Sequence, residues 1–435
     1  MRCSANNRGY FTAGGNHRKG GTAAFKSAQP DLSIIPYFKP FRSSSLDGRT
    51  MLNTQSNSAS GPLLIGAVCL LGRVARTTRP WRRIHSWAIC IALLASPIAS
   101  AQNDADGFPS FAYPTLPVSF SNGEVKLSGL IMKPEGKGPF PAVVILHGAE
   151  GATHNEPAFR VHANAFVRGG FAVLTFDKRG SGKSSGDLDT SDFENLAGDA
   201  LAAVAHLRTR DDVNPEAIGF LGRSEGGWIS CLAASRDQRI KFAIMSSGAA
   251  IRPVEQVRYW MRGLFKRKGA SAADIEAAMA AREAQWEYYR RVARDPGWGR
   301  SNKGLRERDA RDVQLDAFRK IAVEFGKQSV ASPAKRTPEF FSAFTRKMDF
   351  DPQPALMTMR ASLMAVIGAD EDVVEPATTI ATLEFLKSNG HDVTVKVLPK
   401  VGHPLIIMTP VGPRYPEDYP EFTVRWAAET VRKGS

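Results

Sequence analysis

The chain has 435 residues, of which 43% are apolar and 23% charged, a composition that excludes the disordered and fibrous classes and leaves room for one large domain or two ordinary ones. A net charge of +14 points first to nucleic acid or a membrane surface, but residues 1–101 hold 13 Lys/Arg and only 2 Asp/Glu. The rest of the chain is close to balance, so its charge gives no reason to expect a nucleic-acid partner.

In that basic head, Arg79, Arg82 and Arg83 precede the apolar run "WAICIALLA" (87–95), and Ala99 and Ala101 form a small-x-small pattern. This predicts an export signal cleaved after Ala101 and a periplasmic or secreted mature chain. The run is too short to span a bilayer, and nothing downstream reaches about 18 uninterrupted apolar residues, so no stable membrane insertion of the mature chain is expected. Upstream of Arg79 the chain is rich in Ser, Asn, Gly and Thr and lacks helical or strand period. Two readings stand for it: a start codon assigned too far upstream, or a disordered extension. "PLLIGAVCLLG" (62–72) is itself signal-like but lacks a good cleavage site. Cys3, Cys69 and Cys90 fall in the segment expected to be lost. That leaves Cys231 alone, predicting no intramolecular disulfide and a buried small hydrophobe at that position.

Beyond residue 101, short apolar runs alternate with amphipathic ones. Strands are predicted near 116–120, 124–132, 142–147, 171–176, 217–221, 242–246, 362–367 and 393–398, and helices at 156–169, 191–209, 226–235, 377–388 and 421–433. Two opening strands followed by strand–helix alternation predict an eight-stranded, mostly parallel α/β sheet with helices on both faces and a site at the carboxyl ends of its strands. Residues 251–360 break the rhythm, with Ser271 and Asp274 marking a helix start before "IEAAMAAREAQWEYYRRVA". The expected organisation is a head (1–101), a first core part (102–250), a helical cap (251–360) and a second core part (361–435). The cap carries 23 Lys/Arg and 14 Asp/Glu. Its basic surplus reads either as attraction for anionic substrates or an envelope surface, or as a solvated helical face. Trp260, Trp286, Tyr288, Tyr289 and Phe340 suit an acyl pocket or the cap's own packing.

The strand "AIGFL", the turn "GRSEGG" and the helical "WISCLAA" place Ser224 between Gly222 and Gly226. A serine hydroxyl attacks a carbonyl only when a base takes its proton and its backbone holds it clear, as a sharp strand-to-helix turn does. Residues two before and two after must then be small. The Glu225 amide, next to the nucleophile, is predicted to be one oxyanion donor, and the Ala149 amide, in the loop ending "AVVILHGAEG" (142–151), the other. His147 in that loop is read as a brace. His403, in a loop just past the last strand, is the predicted base; His154, His162, His206 and His391 are less well placed. The acid that orients the imidazole is sought among Asp370, Glu371 and Asp372, after the seventh strand.

The order Ser224, acid, His403, with "LSGLIMKPEGKGPFPAVVILHGAEG" (127–151), "FDKRGSGKSSGD" (176–187) and "GRSEGG", resembles the α/β-hydrolases, in particular exported bacterial esterases of the dienelactone-hydrolase and serine-aminopeptidase-like group. The resemblance spans about residues 115–433 apart from the cap. It implies an α/β-hydrolase fold with the cap inserted after the sixth strand, a small-molecule carboxylic ester as substrate, and no metal or organic cofactor. In that group the acid lies three residues after the glycine ending the seventh strand, which here is Glu371 after Gly368. Family members more often have Asp, so Asp370 and Asp372 stay open. Arg223 replaces a frequent His, adding charge beside the serine or lying under the cap. "GKS" within "DKRGSGKSS" lacks the earlier glycine of a phosphate-binding loop, Asp177 standing in its place, and reads as a structural turn fixed by Arg179 and Gly180. A peptidase of the same fold and a non-catalytic envelope binding protein are the rival readings. The sequence does not set the oligomeric state.

Overall fold

The computed structural model describes residues 107–319, 337–410, 412–416 and 418–433. The predicted export signal, its cleavage point at Ala101, and Cys3, Cys69 and Cys90 lie outside the described residues.

The third strand shows how the sequence builds the layers. In β3 (Phe140–Leu146), Ala142, Val144 and Leu146 enter one hydrophobic core, whereas Val143 and Ile145 enter another on the opposite face. Successive strand side chains point to opposite faces, so an unbroken apolar run is what a sheet covered on both sides requires. β7 (Ser362–Gly368) divides the same way, Leu363, Ala365 and Ile367 to one core and Met364 and Val366 to the other.

The other strands of this sheet are β1 (Leu116–Asn122), β2 (Val125–Met132), β4 (Ala172–Phe176), β5 (Val213–Arg223), β6 (Phe242–Ser246) and β8 (Val393–Leu398). The eight run in the order β1-β2-β4-β3-β5-β6-β7-β8. β1 pairs antiparallel with β2 and β2 antiparallel with β4, while β3 through β8 join in parallel, so the sheet is mixed but mostly parallel. Helices α1 (Pro157–Arg168) and α11 (Glu421–Lys433) cover one face; α2 (Phe193–Arg208) and α3 (Glu225–Arg236) cover the other, together with α10 (Pro376–Ser388). A small hairpin of β9 (Ile407–Thr409) and β10 (Gly412–Arg414), absent from the sequence expectations, precedes α11.

Between β6 and β7 lie α4 (Pro253–Arg267), α5 (Ala272–Arg294), α6 (Pro296–Arg300), α7 (Asn302–Arg319), α8 (Pro338–Met348) and α9 (Gln353–Thr358). The Ser271 side chain accepts the Asp274 amide at the start of α5, the cap its spacing predicts. β6 and β7 are direct neighbours, with Ser246 opposite Val366, so the insertion leaves and re-enters the sheet on adjacent strands. Its aromatic residues pack internally: Tyr288, Tyr289, Phe340 and Phe341 form one cluster, and Trp260 joins Met261 and Phe265 in another. Trp286 is buried against the guanidinium groups of Arg258 and Arg282, 5.8 and 5.3 Å from its ring centre. Many of the insertion's basic residues are paired within it, as in Arg258–Glu283 and Arg290–Asp349, both at 2.6 Å, which leaves its basic surplus in place. Among the described residues no helix is long and apolar enough to cross a membrane.

Candidate active site

Ser224 stands at the break between β5 and α3 with φ 52° and ψ −116°, a left-handed backbone that a serine adopts only under constraint. The constraint is local. The Ser224 amide donates to the Ser246 carbonyl at 2.8 Å, and the Gly227 amide donates to the Ser224 carbonyl at 2.8 Å. A Cβ at position 222 would run into the Gly226 carbonyl, and one at 226 would lie 2.7 Å from the Leu146 carbonyl oxygen. The two glycines are needed because three pieces of backbone meet at this turn.

The imidazole comes from the far edge of the sheet. His403 follows β8 in a loop held to the end of β7: Ala369 donates to Leu398 O at 2.8 Å and Asp370 donates to Val401 O at 3.0 Å. His403 Nε2 lies 3.0 Å from Ser224 Oγ, and Nδ1 lies 2.9 Å from Glu371 Oε1. The same carboxylate oxygen accepts the amides of Val373 and Val374 at 3.0 and 3.1 Å. Glu371 is thus buried and fixed from two directions. Of its neighbours, Asp370 is exposed, and Asp372 turns away to pair with Arg267 of α4 at 3.0 Å. Three residues separated by up to 179 positions therefore meet as a Ser–His–carboxylate chain.

The loop after β3 lies over the serine, since a Cβ on Gly148 would be 3.6 Å from Ser224 Cβ. Ala149 follows it in an exposed bend. The Glu225 amide opens α3, where a helix has no internal acceptor for its first N–H groups. His147 Nε2 bonds the Thr153 carbonyl at 3.2 Å, closing the loop on itself. Burial, with Lys178 adding to it, pushes the His147 ring down to about 3, so it stays neutral and serves as a brace. Asp177 holds the other end by accepting the His154 amide at 2.8 Å, and Arg179 pairs with Asp199 at 2.5 Å to fix the "DKRGSGKSS" turn. Cys231 is buried and burial pushes its thiol up to about 12, which makes it inert.

Arg223 does not stand as a bare charge beside Ser224; it is paired with Glu156. Several other contacts here gave no signal in the sequence. Tyr259 of α4 donates its hydroxyl to the Glu371 carbonyl at 3.1 Å. The Glu225 side chain, on the residue expected to matter only through its amide, is buried between Lys178 at 2.7 Å and Lys347 of α8 at 2.9 Å. Below the serine, the Tyr419 hydroxyl bridges His162 Nε2 and Ser246 Oγ at 2.9 and 2.8 Å.

Residues 122–396 match the X-Pro dipeptidyl-peptidase (S15) family. The chain belongs to that family. Among curated relatives of this S15 chain, the quorum-quenching protein AidA of Acinetobacter baumannii is 29% identical over 152 residues, covering 33% of this chain and 49% of that protein. The 2,6-dihydropseudooxynicotine hydrolase of Paenarthrobacter nicotinovorans is 29% identical over 171 residues, 38% of this chain and 40% of that one. Esterase EstD of Thermotoga maritima is 30% identical over 149 residues, 32% and 35% respectively. The S15 chain thus spans half or less of the length of these relatives. A solved esterase of Pyrococcus furiosus, PF2001, is 19% identical with a TM-score of 0.45, covering 74% of this chain and 92% of that one. The eight-stranded order, with Ser224, Glu371 and His403 on the loops after β5, β7 and β8, is that of an α/β-hydrolase.

Proposed function

We propose that the protein is a serine hydrolase that cleaves carboxylic esters of small molecules through an acyl-enzyme intermediate, with Ser224, His403 and Glu371 as its triad. The observation that carries this reading is the bridging position of the His403 ring, 3.0 Å from Ser224 Oγ and 2.9 Å from Glu371 Oε1. Nδ1–H donates to Glu371, which leaves the Nε2 lone pair facing the serine. Nε2 takes the hydroxyl proton as Oγ attacks the ester carbonyl, and the imidazolium that forms is steadied by a carboxylate already fixed by two backbone amides. The Ala149 and Glu225 amides receive the oxyanion; Nε2 then returns the proton to the leaving alcohol, and a water activated in the same way releases the acid. The insertion between β6 and β7 acts as the cap over this site. The mature enzyme is exported to the periplasm or medium after cleavage behind Ala101, which amino-terminal sequencing of the secreted chain beginning at Gln102 would test.

A fluorophosphonate probe tests the chemistry. Wild type is labelled and Ser224→Ala is not; equal labelling of both, or of neither, rejects the reading, and labelling of neither favours a binding-only protein. The family match supports a second reading, a peptidase of the same site. Turnover of an Xaa-Pro anilide without turnover of p-nitrophenyl esters would favour it over the esterase.

A further inference from the structure

Glu225 is the residue after the nucleophile, and its side chain is 6% exposed between two ammonium groups. Lys178, whose side chain is 4% exposed, takes Oε1 at 2.7 Å; Lys347 takes Oε2 at 2.9 Å. Lys178 Nζ also donates to the Gly148 carbonyl at 2.6 Å, and its backbone amide donates to the Ala152 carbonyl at 3.0 Å. One buried ammonium therefore ties the backbone of the 148–152 loop, at the Gly148 carbonyl, to the Glu225 side chain, and so spans the two segments that carry the Ala149 and Glu225 amides.

We infer that Lys178 is a positioning residue that holds these two segments at the separation at which the Ala149 and Glu225 amides converge on one oxygen, and that Lys347 completes the clamp from the helical insertion. The inference rests on the serine-hydrolase reading above. An ammonium has several donors and no acceptor, so it can join a carbonyl to a carboxylate where an apolar side chain of equal size joins nothing. Stability alone does not account for the arrangement, because a buried ion pair is often no more stabilising than well-packed hydrophobes of the same volume. Geometry accounts for it better: donors fixed in advance are a leading source of rate in acyl transfer, and a shift of about 1 Å there lowers the rate about 100-fold. Lys178 and Lys347 bring the Glu225 carboxyl down to about 2 against its own burial, while burial lowers the Lys178 ammonium from its ordinary value and Glu225 opposes that only in part. Lys347 lies 5.4 Å above the Phe193 ring, and its neighbour Arg346 pairs with Asp192 at 2.5 Å. The lysine that completes the clamp is thus anchored where α8 meets the core.

The test compares wild type with Lys178→Met, Lys178→Met/Glu225→Gln and Lys347→Met, reading fluorophosphonate labelling, kcat and KM on a p-nitrophenyl ester, the affinity of a trifluoromethyl ketone and the melting temperature. Lys178→Met is expected to lose about 30–100-fold in kcat with KM within about 3-fold, and ketone affinity should fall in step. The double variant removes the carboxylate left with Lys347 as its one ammonium partner and should recover part of the melting temperature but not kcat. Lys347 is partly exposed, so Lys347→Met should fold, with kcat lower by about 3–10-fold. A double variant that regains kcat together with stability reduces Lys178 to charge balance and overturns the inference, as does Lys178→Met with wild-type kcat; unchanged kcat in Lys347→Met overturns the insertion's share. A wild type that fails to label overturns the serine-hydrolase reading and this inference with it, whereas failure of the inference alone leaves wild type fully labelled.

Discussion

The sheet and the helical insertion solve the same problem, holding side chains still, by different means. Around Ser224 the hold comes from backbone: a left-handed serine, glycines with no room for a methyl, and amides spent on the Ser246 carbonyl and Glu371. Among its described residues the insertion has two small apolar clusters and a lattice of arginine–carboxylate pairs, many half exposed. Backbone contacts are dry and tolerate little change. Exposed ion pairs contribute little singly and are screened by salt. Lys347 and Tyr259 are two of the points at which the more forgiving region touches the exacting one.

Substitutions can break that comparison at known places. The largest effect is expected at the serine: Ser224→Ala should lower kcat by about 10⁴ or more with little change in melting temperature, read by ester turnover. Next comes the acid. Glu371→Gln should lose about 10²–10⁴ in kcat because the imidazole loses the anion that steadies it, while Asp370→Asn and Asp372→Asn stay within about 3-fold. A comparable loss in all three would show that the acid loop, and not one carboxylate, carries the effect. Gly222→Ala forces a methyl against the Gly226 carbonyl and should destabilise the fold by about 2–4 kcal/mol in denaturant titration.

Acid should act on the core before it acts on the insertion. His147 and His162 are held down to about 3 and about 4, in each case first by burial. Unfolded histidine binds its proton near pH 6.5, so below that pH the unfolded state binds more protons than the native one. Stability is complete above about 6.5 and is lost as pH falls towards 4, at up to about 1.4 kcal/mol per pH unit for each histidine. Urea titrations at pH 7, 6 and 5 should show the decline, and a flat profile would mean that these rings take up protons without unfolding. The smallest effect belongs to the insertion: Arg290→Ala, which breaks the Arg290–Asp349 pair, should change stability by no more than about 1 kcal/mol, and less in high salt.

How much of this could be read in advance depended on whether the signal was local. β3 and β7 were legible because unbroken apolar runs have one natural home, between two layers of helices. The elbow was legible because steric demand at one turn leaves its mark within five residues, from Gly222 to Gly226. Ser271 and Asp274 announced α5 for the same reason. Choosing among Asp370, Glu371 and Asp372 depended on which carboxylate the loop turns inward, and only the Val373 and Val374 amides decide that. Lys178 was invisible because a lysine after a strand has no pattern of its own; its partner lies 47 positions away, and Lys347 lies further along still. The β9–β10 hairpin was missed because three-residue strands are too short to show alternation.

Because β6 and β7 run side by side, the chain sets out on its long excursion and comes home at nearly the same spot. The ends of that excursion are brought together by sheet pairing, so lengthening or exchanging what lies between them adds little closure entropy and leaves the strand register alone. The site is therefore built at a natural grafting point. A foreign helical segment spliced between Arg267 and Gln353 would meet an intact Ser224 and His403, and it would need to replace the contacts that Lys347 makes with Glu225 and Arg346 with Asp192.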